Sequence, residues 1–413
     1  MIHAGDITKL SGYDLPIVDV ITGGSPCQDL SVAGKRAGLA GERSGLFMEQ
    51  IRLVKEMRER DRADGRTAWL VRPRYMVWEN VPGAFSSGSP KGADFAAVIE
   101  EIIKVAEPGT DMRVCVPDGG WTKSGCYYSA DGKWSIAWRV HDAQFWGVPQ
   151  RRKRIALVAD FGGLSAPEIL FERKGVRGDL EESREAGQGT TRGAESCAEG
   201  TIAHALAARA DGSPQPDRGG GGNITVTAFK AGNGAKAKGI GYAEEQAPTL
   251  PAANSGTNQT PALLAYEYRK GHNGVTEDGT ATTLTAQEKE RPLTATSIVR
   301  RLTPMECERL QGMPDNWSKY GINEKGEVYE LSDSARYRLQ GNGIATPFWR
   351  WMLKRISAQY ERAPTLGSLF DGQASFPMIW EGINSPGTAL WSSEIEPHAV
   401  AVAKYHFPEE VNE

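Results

Sequence analysis

LGSLFDGQASFPMIWEGINSPGTALWSSEIEP, residues 366–397, is the stretch that decides the fold. Leu366 to Phe370 reads as a buried strand, Asp371-Gly372 as a turn, the residues from Phe376 as a helix, Ala389 to Ser393 as a second strand, and those from Pro397 as another helix. Glu394 follows Gly372 by 22 residues. At that distance a nucleotide-binding βαβ unit places a carboxylate on both hydroxyls of a ribose. Alone the pattern is weak, because an ordinary βαβ unit with a surface glutamate produces it as well.

Working outward, the same alternation fills residues 1–163. Val18 to Thr22, Tyr75 to Trp78, Ile136 to Val140 and Ile155 to Ala159 are short apolar strands. Leu46 to Arg60 and Ala93 to Val105 carry apolar side chains at helical spacing. Strands alternating with helices predict a parallel sheet covered on both faces. From 165 to 296 the chain is rich in glycine, alanine and threonine, with runs such as DRGGGGN, and long helices are hard to place. That segment is either a low-complexity insert or a loop-rich module that reads a surface. Order returns at LTPMECERLQG, where Thr303 is a helix N-cap, Pro304 occupies the first turn, Glu306 completes a capping box and Gly312 stops the helix. A further helix is expected over Trp349 to Tyr360.

Reactive groups stand where two of these strands end, the edge at which open α/β sheets bind ligands. GGSPCQDLS, residues 23–31, follows the first strand and puts Cys27 behind Pro26 in a tight polar turn. WENVPG puts Glu79 and Asn80 after the strand ending at Trp78. A thiolate beside a carboxyl group suggests a nucleophile with a proton donor, although either residue alone reads equally as an inert thiol or a turn cap. In QRRKR, residues 150–154, Arg152 and Arg154 are two apart on an extended chain and would point together at an anion or a polarised carbonyl.

GGSPCQDLS, WENVPG, QRRKR, RRLTPMECERLQGMPDNW and GNGIATPF together closely resemble the signature motifs of the cytosine-C5 DNA methyltransferases, in that family's relative order. The resemblance covers most of the chain outside about 165–296, where the family carries its variable target recognition region. It implies a Rossmann-like α/β sheet that binds S-adenosyl-L-methionine, with a smaller irregular recognition domain. It implies Cys27 as nucleophile on cytosine C6, with Pro26 shaping its turn. Glu79 would be the acid at N3, Asn80 would hold the loop, and Arg152 and Arg154 would polarise the cytosine carbonyl and steady Glu79 and the thiolate. For the cofactor it implies Phe370 near adenine, Asp371 and Gly372 at the turn, Glu394 on the ribose, Ile395 on the adenine face, Asp6 with Ile7 at the adenine amino group, and Asn342 near the methionine end. The target base must leave the stack to be reached, and Ser31 to Gly45, with Lys35, Arg36 and Arg43, has the glycines and charges of a loop that closes over DNA.

Two departures stand out. The cofactor motif comes last instead of first, so the chain reads as circularly permuted: a first catalytic part over 1–165, a target recognition domain over 166–340, and a second catalytic part over 341–413. Within that motif, Ala374 and Ser375 replace family glycines and add bulk where backbone would approach the cofactor.

The bulk numbers leave room for this reading. Among 413 residues the net charge is −4 and 24 % are charged, so nothing pulls the chain as a whole toward nucleic acid, and a local basic surface is needed. Its five cysteines form no C-x-x-C pair, which argues against a zinc site and for reduced thiols in a cytoplasm. No membrane span or signal peptide is expected. The expected partner is double-stranded DNA, with a cognate restriction endonuclease in the same system and a monomeric chain. A catalytically weak DNA-binding relative and an RNA cytosine-C5 methyltransferase are the competing readings.

Overall fold

The computed structural model describes residues 1–25, 45–171, 223–229, 243–244, 262–268 and 298–409. In chain order the first part carries β1 (Ile2–His3), β2 (Val20–Gly23), α1 (Leu46–Ala63), β3 (Tyr75–Asn80), α2 (Ala93–Ala106), β4 (Ser124–Tyr128), β5 (Ser135–Asp142), β6 (Lys153–Asp160) and α3 (Ala166–Leu170). The middle carries β7 (Asn223–Phe229), β8 (Ala243–Glu244), β9 (Ala262–Tyr268) and β10 (Ile298–Arg301). Then come α4 (Pro304–Leu310), β11 (Tyr320–Ile322), β12 (Val328–Glu330), α5 (Asp333–Asn342), α6 (Thr346–Ser357), β13 (Leu366–Leu369), α7 (Ser375–Ile383), β14 (Ala389–Ser393) and α8 (Pro397–His406).

Eight strands form one sheet in the order β1-β14-β13-β2-β3-β6-β5-β4. From β1 to β3 every pairing is parallel; β6, β5 and β4 join antiparallel. The parallel sheet that the alternation predicts is present from β1 to β3, and three antiparallel strands extend it into a mixed sheet. A short apolar run has no intrinsic direction, and QRRKR lies at the start of β6 because that strand runs back against β3.

Both faces of the sheet are covered, and β3 shows why its residues are continuously apolar. Met76 and Trp78 point into a core with Phe47, Ile51, Val54 and Met57 of α1 and Phe95 and Ile99 of α2. Tyr75 and Val77 point the other way, against Phe348, Trp349, Met352 and Ile356 of α6 and Ile379 and Trp380 of α7. Full burial of one such side chain contributes about 1.5–3 kcal/mol. The capping box at α4 forms as the sequence predicts: Thr303 Oγ1 accepts from the Glu306 amide, and the Glu306 carboxylate accepts from the Thr303 amide. The helix expected over 349–360 begins three residues earlier, at Thr346, with Pro347 in its first turn.

The unit 366–393 supplies the second and third strands of this sheet, next to the edge strand β1. Leu366 to Leu369 register with Val20 to Gly23 on one side, while β14 registers with β1 on the other. The first and last described residues meet there: the Met1 amino group donates to the Pro408 carbonyl at 3.2 Å, and the His3 amide donates to Glu409 Oε1 at 3.0 Å. Within 223–301 a second, antiparallel sheet has the order β10-β9-β7-β8. Among the described residues no helix is long and apolar enough to cross a membrane.

Candidate active site

β2 and β3 end at the same edge, with Gly23 registered on Trp78. Beyond that edge Gly24 and Ser25 continue toward the cysteine turn. Trp78 Nε1 donates to Ser25 Oγ at 3.1 Å, and Asn80 Nδ2 lies 3.5 Å from both Ser25 oxygens. Asn80, 1 % exposed, also accepts from the Val81 amide through Oδ1 at 2.8 Å. It thus ties the chain leaving β2 to the chain leaving β3. Pro26 and Cys27 lie outside the described residues, as do Lys35, Arg36 and Arg43.

Glu79, near the end of β3, points toward Gly24. Its Oε1 pairs with Arg154 Nε at 2.9 Å, and both side chains are largely shielded, 14 % and 16 % exposed. Its Oε2 lies against Gly24, where an added Cβ would sit 3.0 Å away. A side chain here would press on the carboxylate, which would have to give by a few tenths of an ångström.

The two arginines expected to act together go to different partners. Arg154, at the start of β6 opposite His141, reaches Glu79. Arg152 precedes the strand, is 1 % exposed, and donates through Nη2 to the Gly341 carbonyl at 3.0 Å and to the Gly343 carbonyl. Its own amide donates to Asp142 Oδ1 at 2.9 Å. Arg152 therefore clamps the GNG loop. Arg152 stands just before β6, and Arg154 is its second residue.

At the other motif, Phe370, Gly372 and Ala374 all have positive φ, 53°, 58° and 62°. The Gly372 amide donates to Glu394 Oε2 at 2.8 Å, and Glu394 Oε1 accepts from the amides of Ile395 and Glu396 at 2.8 and 2.9 Å. Glu394 is thereby locked across the mouth of the turn with a lone-pair site still free, since an ionised carboxylate offers about four. A Cβ added at Gly372 would meet nothing within 4 Å, so space opens above it. Ile395 is 69 % exposed beside it. Ser393 Oγ donates to the Gly5 carbonyl at 2.6 Å, which brings Asp6 near the same edge. The Asp6 carboxylate accepts from the amide and hydroxyl of Thr8, and these bonds hold it below the usual carboxylate range. Ile7 is buried in the core. Asn342 is exposed at the end of α5.

Ala374 and Ser375 are 0 % and 3 % exposed, and Ser375 Oγ faces Met313 Sδ at 3.9 Å. Their added atoms lie in the packed interior.

Four residues that the sequence did not single out connect these parts. Gln340 and Gln373 exchange side-chain amide bonds at 3.0 and 3.2 Å, so the GNG loop and the turn move together. Trp317 Nε1 donates to the Gln373 carbonyl at 2.8 Å, and its ring stacks on His406 of α8 at 3.6 Å. Ser368 donates to Asp371 Oδ1 at 2.5 Å. The only available signal was position, next to a motif glycine in the case of Gln340. Among the described residues, no group of three or more His, Cys, Asp or Glu is arranged to hold a metal ion.

The open space over Gly372, the ribose-spaced carboxylate and an orphaned carboxyl oxygen on Asp371 fit a cationic nucleotide cofactor. The edge at Glu79 can present a carboxyl group and a guanidinium to one planar substrate.

The model of the C-5 cytosine-specific DNA methylase family matches residues 2–105 and 128–358, leaving out the βαβ unit that follows. Among curated relatives, a protein described as a DNA N-6-adenine-methyltransferase of Escherichia phage P1 is 28 % identical, over 86 % of this chain and 55 % of its own length. The type II methyltransferase M2.BsuMI of Bacillus subtilis is 23 % identical over 83 % of this chain and 61 % of its own. The chain thus spans less than two thirds of the length of either relative. A solved structure of the Dnmt2 methyltransferase of S. pombe aligns over 86 % of this chain and 83 % of its own, at 15 % identity and a TM-score of 0.38.

Proposed function

The chain belongs to the C-5 cytosine-specific DNA methylase family, and from that premise we propose that it transfers a methyl group from S-adenosyl-L-methionine to C5 of a cytosine flipped out of duplex DNA. The observation that carries this reading is the Glu79–Arg154 pair, 2.9 Å apart beside Gly24, at the strand ends from which the chain runs into Cys27.

Cytosine C5 is a poor nucleophile, so the ring must first be activated. Cys27, as thiolate, adds to C6. Glu79 hydrogen-bonds or protonates N3, and Arg154 holds Glu79 and polarises the carbonyl at its side. Asn80 keeps the two strand ends in register. Arg152 contributes by holding the loop 341–343. After transfer, a base removes the C5 proton and Cys27 departs. The donor supplies an electrophilic methyl group on a sulfonium. Gly372, Glu394, Phe370, Ile395, Asp6 and Asn342 would hold its nucleoside and amino-acid ends, with Asp371 and Ile7 supporting the turn and the Asp6 segment. Sequence would be read from about 166–298 by side chains entering the major groove.

The motif order supports a circular permutation, with domains over 1–165, 166–340 and 341–413: the cofactor unit comes last in the chain yet sits between β1 and β2 in the sheet. The role we assign is protection of DNA in a restriction–modification system or a phage, beside a cognate endonuclease, in the cytoplasm.

One relative's description names adenine N6. An exocyclic amine needs no covalent activation of its ring, so an acid paired with an arginine at the strand end from which the sequence runs on to Cys27 favours cytosine C5. The test is nucleoside mass spectrometry of plasmid DNA from cells expressing the chain, followed by bisulfite mapping. 5-Methylcytosine in one sequence context is expected, falling at least about 100-fold in Cys27→Ser. N6-Methyladenine alone, or label entering transfer RNA in preference to duplex DNA, would overturn the assignment. Failure to bind the donor at millimolar concentration would favour the catalytically weak relative.

A further inference from the structure

Asp371 is the least compensated acid at the cofactor turn. It is 5 % exposed, and its Oδ2 has no hydrogen-bond partner. Its Oδ1 accepts from Ser368 Oγ at 2.5 Å, and Ser368 in turn accepts from Thr22 Oγ1 at 3.2 Å, so the hydroxyls of β13 and β2 support one oxygen only. From the end of β14 the Glu394 carboxylate opposes a second negative charge here. From the start of α7 the Phe376 amide favours it weakly, and Gln373 brings no charge. Among the described residues no cation faces Asp371 from any of these elements. Burial is the largest effect and, with Glu394, pushes the carboxyl up to about 8.

A buried acid with one oxygen unsatisfied is completed either by a proton or by a positive charge brought from outside. The donor assigned above and its demethylated product differ by one charge, at sulfur: a sulfonium before transfer, a neutral thioether after. Their amino-acid and nucleoside ends are the same. Resting on the methyltransferase reading, we propose that Asp371 is a positioning residue that selects the charged donor over the spent product, by releasing its proton to solvent when the sulfonium docks and recovering it when the thioether remains. The device would favour donor binding and product departure at one turn without moving the backbone, because a buried charge is stabilised only while its counter-charge is present.

The test is isothermal calorimetry on the full chain with S-adenosylmethionine and S-adenosylhomocysteine, from pH 6 to 9, in buffers of different ionisation enthalpy. For the unaltered protein the expected result is release of up to about one proton with the donor at pH 7, and clearly less with the product. Donor affinity should rise by up to about tenfold per pH unit below pH 8 and level off above, while product affinity stays nearly flat. Asp371→Asn keeps the size and the Ser368 bond. It should flatten the donor profile and cut the donor-to-product preference about tenfold or more, with product affinity kept within about threefold. Equal proton release with both ligands, or an Asp371→Asn protein with unchanged preference, would overturn the proposal. If the unaltered protein binds neither ligand, the methyltransferase reading itself fails, which is a distinguishable result.

Discussion

Single residues in this protein are governed by what burial leaves unsatisfied. His141 is stacked on Phe348 at 3.7 Å with neither ring nitrogen bonded, and burial holds its pKa well below the usual value. The unfolded chain therefore binds a proton that the folded chain refuses, and stability falls as pH drops below about 6.5. Asp371 has the opposite sign. The folded chain keeps a proton that the unfolded chain gives up, so stability falls as pH rises from about 4 toward 8. His141→Phe should retain the stack, change stability at pH 8 by about 1 kcal/mol or less, and soften the acid limb in thermal melts. A steeper acid limb in that variant would refute the account. Gly24→Ala should push the Glu79 carboxylate aside by a few tenths of an ångström and cut kcat by about tenfold or more with a smaller effect on DNA affinity. Full activity in that variant would mean that the Gly24–Glu79 approach is incidental. The reactive types Glu79 and Arg154 were legible in the sequence because one stands near the end of an apolar strand and the other where a cationic run enters one. The role of Arg152 was not, since its acceptors at Gly341 and Gly343 are backbone carbonyls nearly half the chain away.

Elements follow their local signals closely, and the departures have identifiable causes. α4 carries the complete capping box that the sequence announces, and β13, α7, β14 and α8 fall within a residue of their expected starts. The direction of β6 and the pairing of β4 to β5 were not legible, because an apolar run specifies a strand but not its neighbour. The C-terminal end of α5, Gly341 to Gly343, depends on Arg152. Arg152→Met should cost roughly 2–4 kcal/mol in urea unfolding, because two buried carbonyls lose their donor. Arg152→Lys should restore only part of this, as an ammonium cannot reproduce the planar fork. Loss below about 0.5 kcal/mol would rule out the clamp. Ala374→Gly relieves a left-handed alanine that costs about 1–2 kcal/mol but removes a buried methyl. Stability should change little, and donor affinity should stay within about twofold. A large gain in affinity would restore the idea that this methyl obstructs the cofactor.

At the scale of the whole molecule, the sheet needs its strands adjacent in space and is indifferent to their order in the chain. The unit 366–393 lies between β2 and β1, and Met1 lies 3.2 Å from the Pro408 carbonyl. A chain whose ends are joined by a short flexible linker and which is reopened between Glu361 and Arg362 should therefore fold to the same sheet. This break leaves Arg362 on Asp19 at 2.6 Å and Thr365 on the same carboxylate. Circular dichroism should be unchanged and the Tm within about 5 °C, a difference of about 4 kcal/mol for a protein of this size. Loss of cooperative unfolding would show that the present connectivity is needed.

Periodicity, caps and the chemistry of the motif residues were determined by the sequence alone, because each depends on neighbours a few positions apart. Which group each reactive side chain meets was decided only by the tertiary structure. Arg154 reaches Glu79 across two strands, Gln340 meets Gln373 between a helix end and a turn, and Asp371 is left with one oxygen bare. These outcomes depend on packing and desolvation between residues far apart in the chain, and no local pattern encodes them.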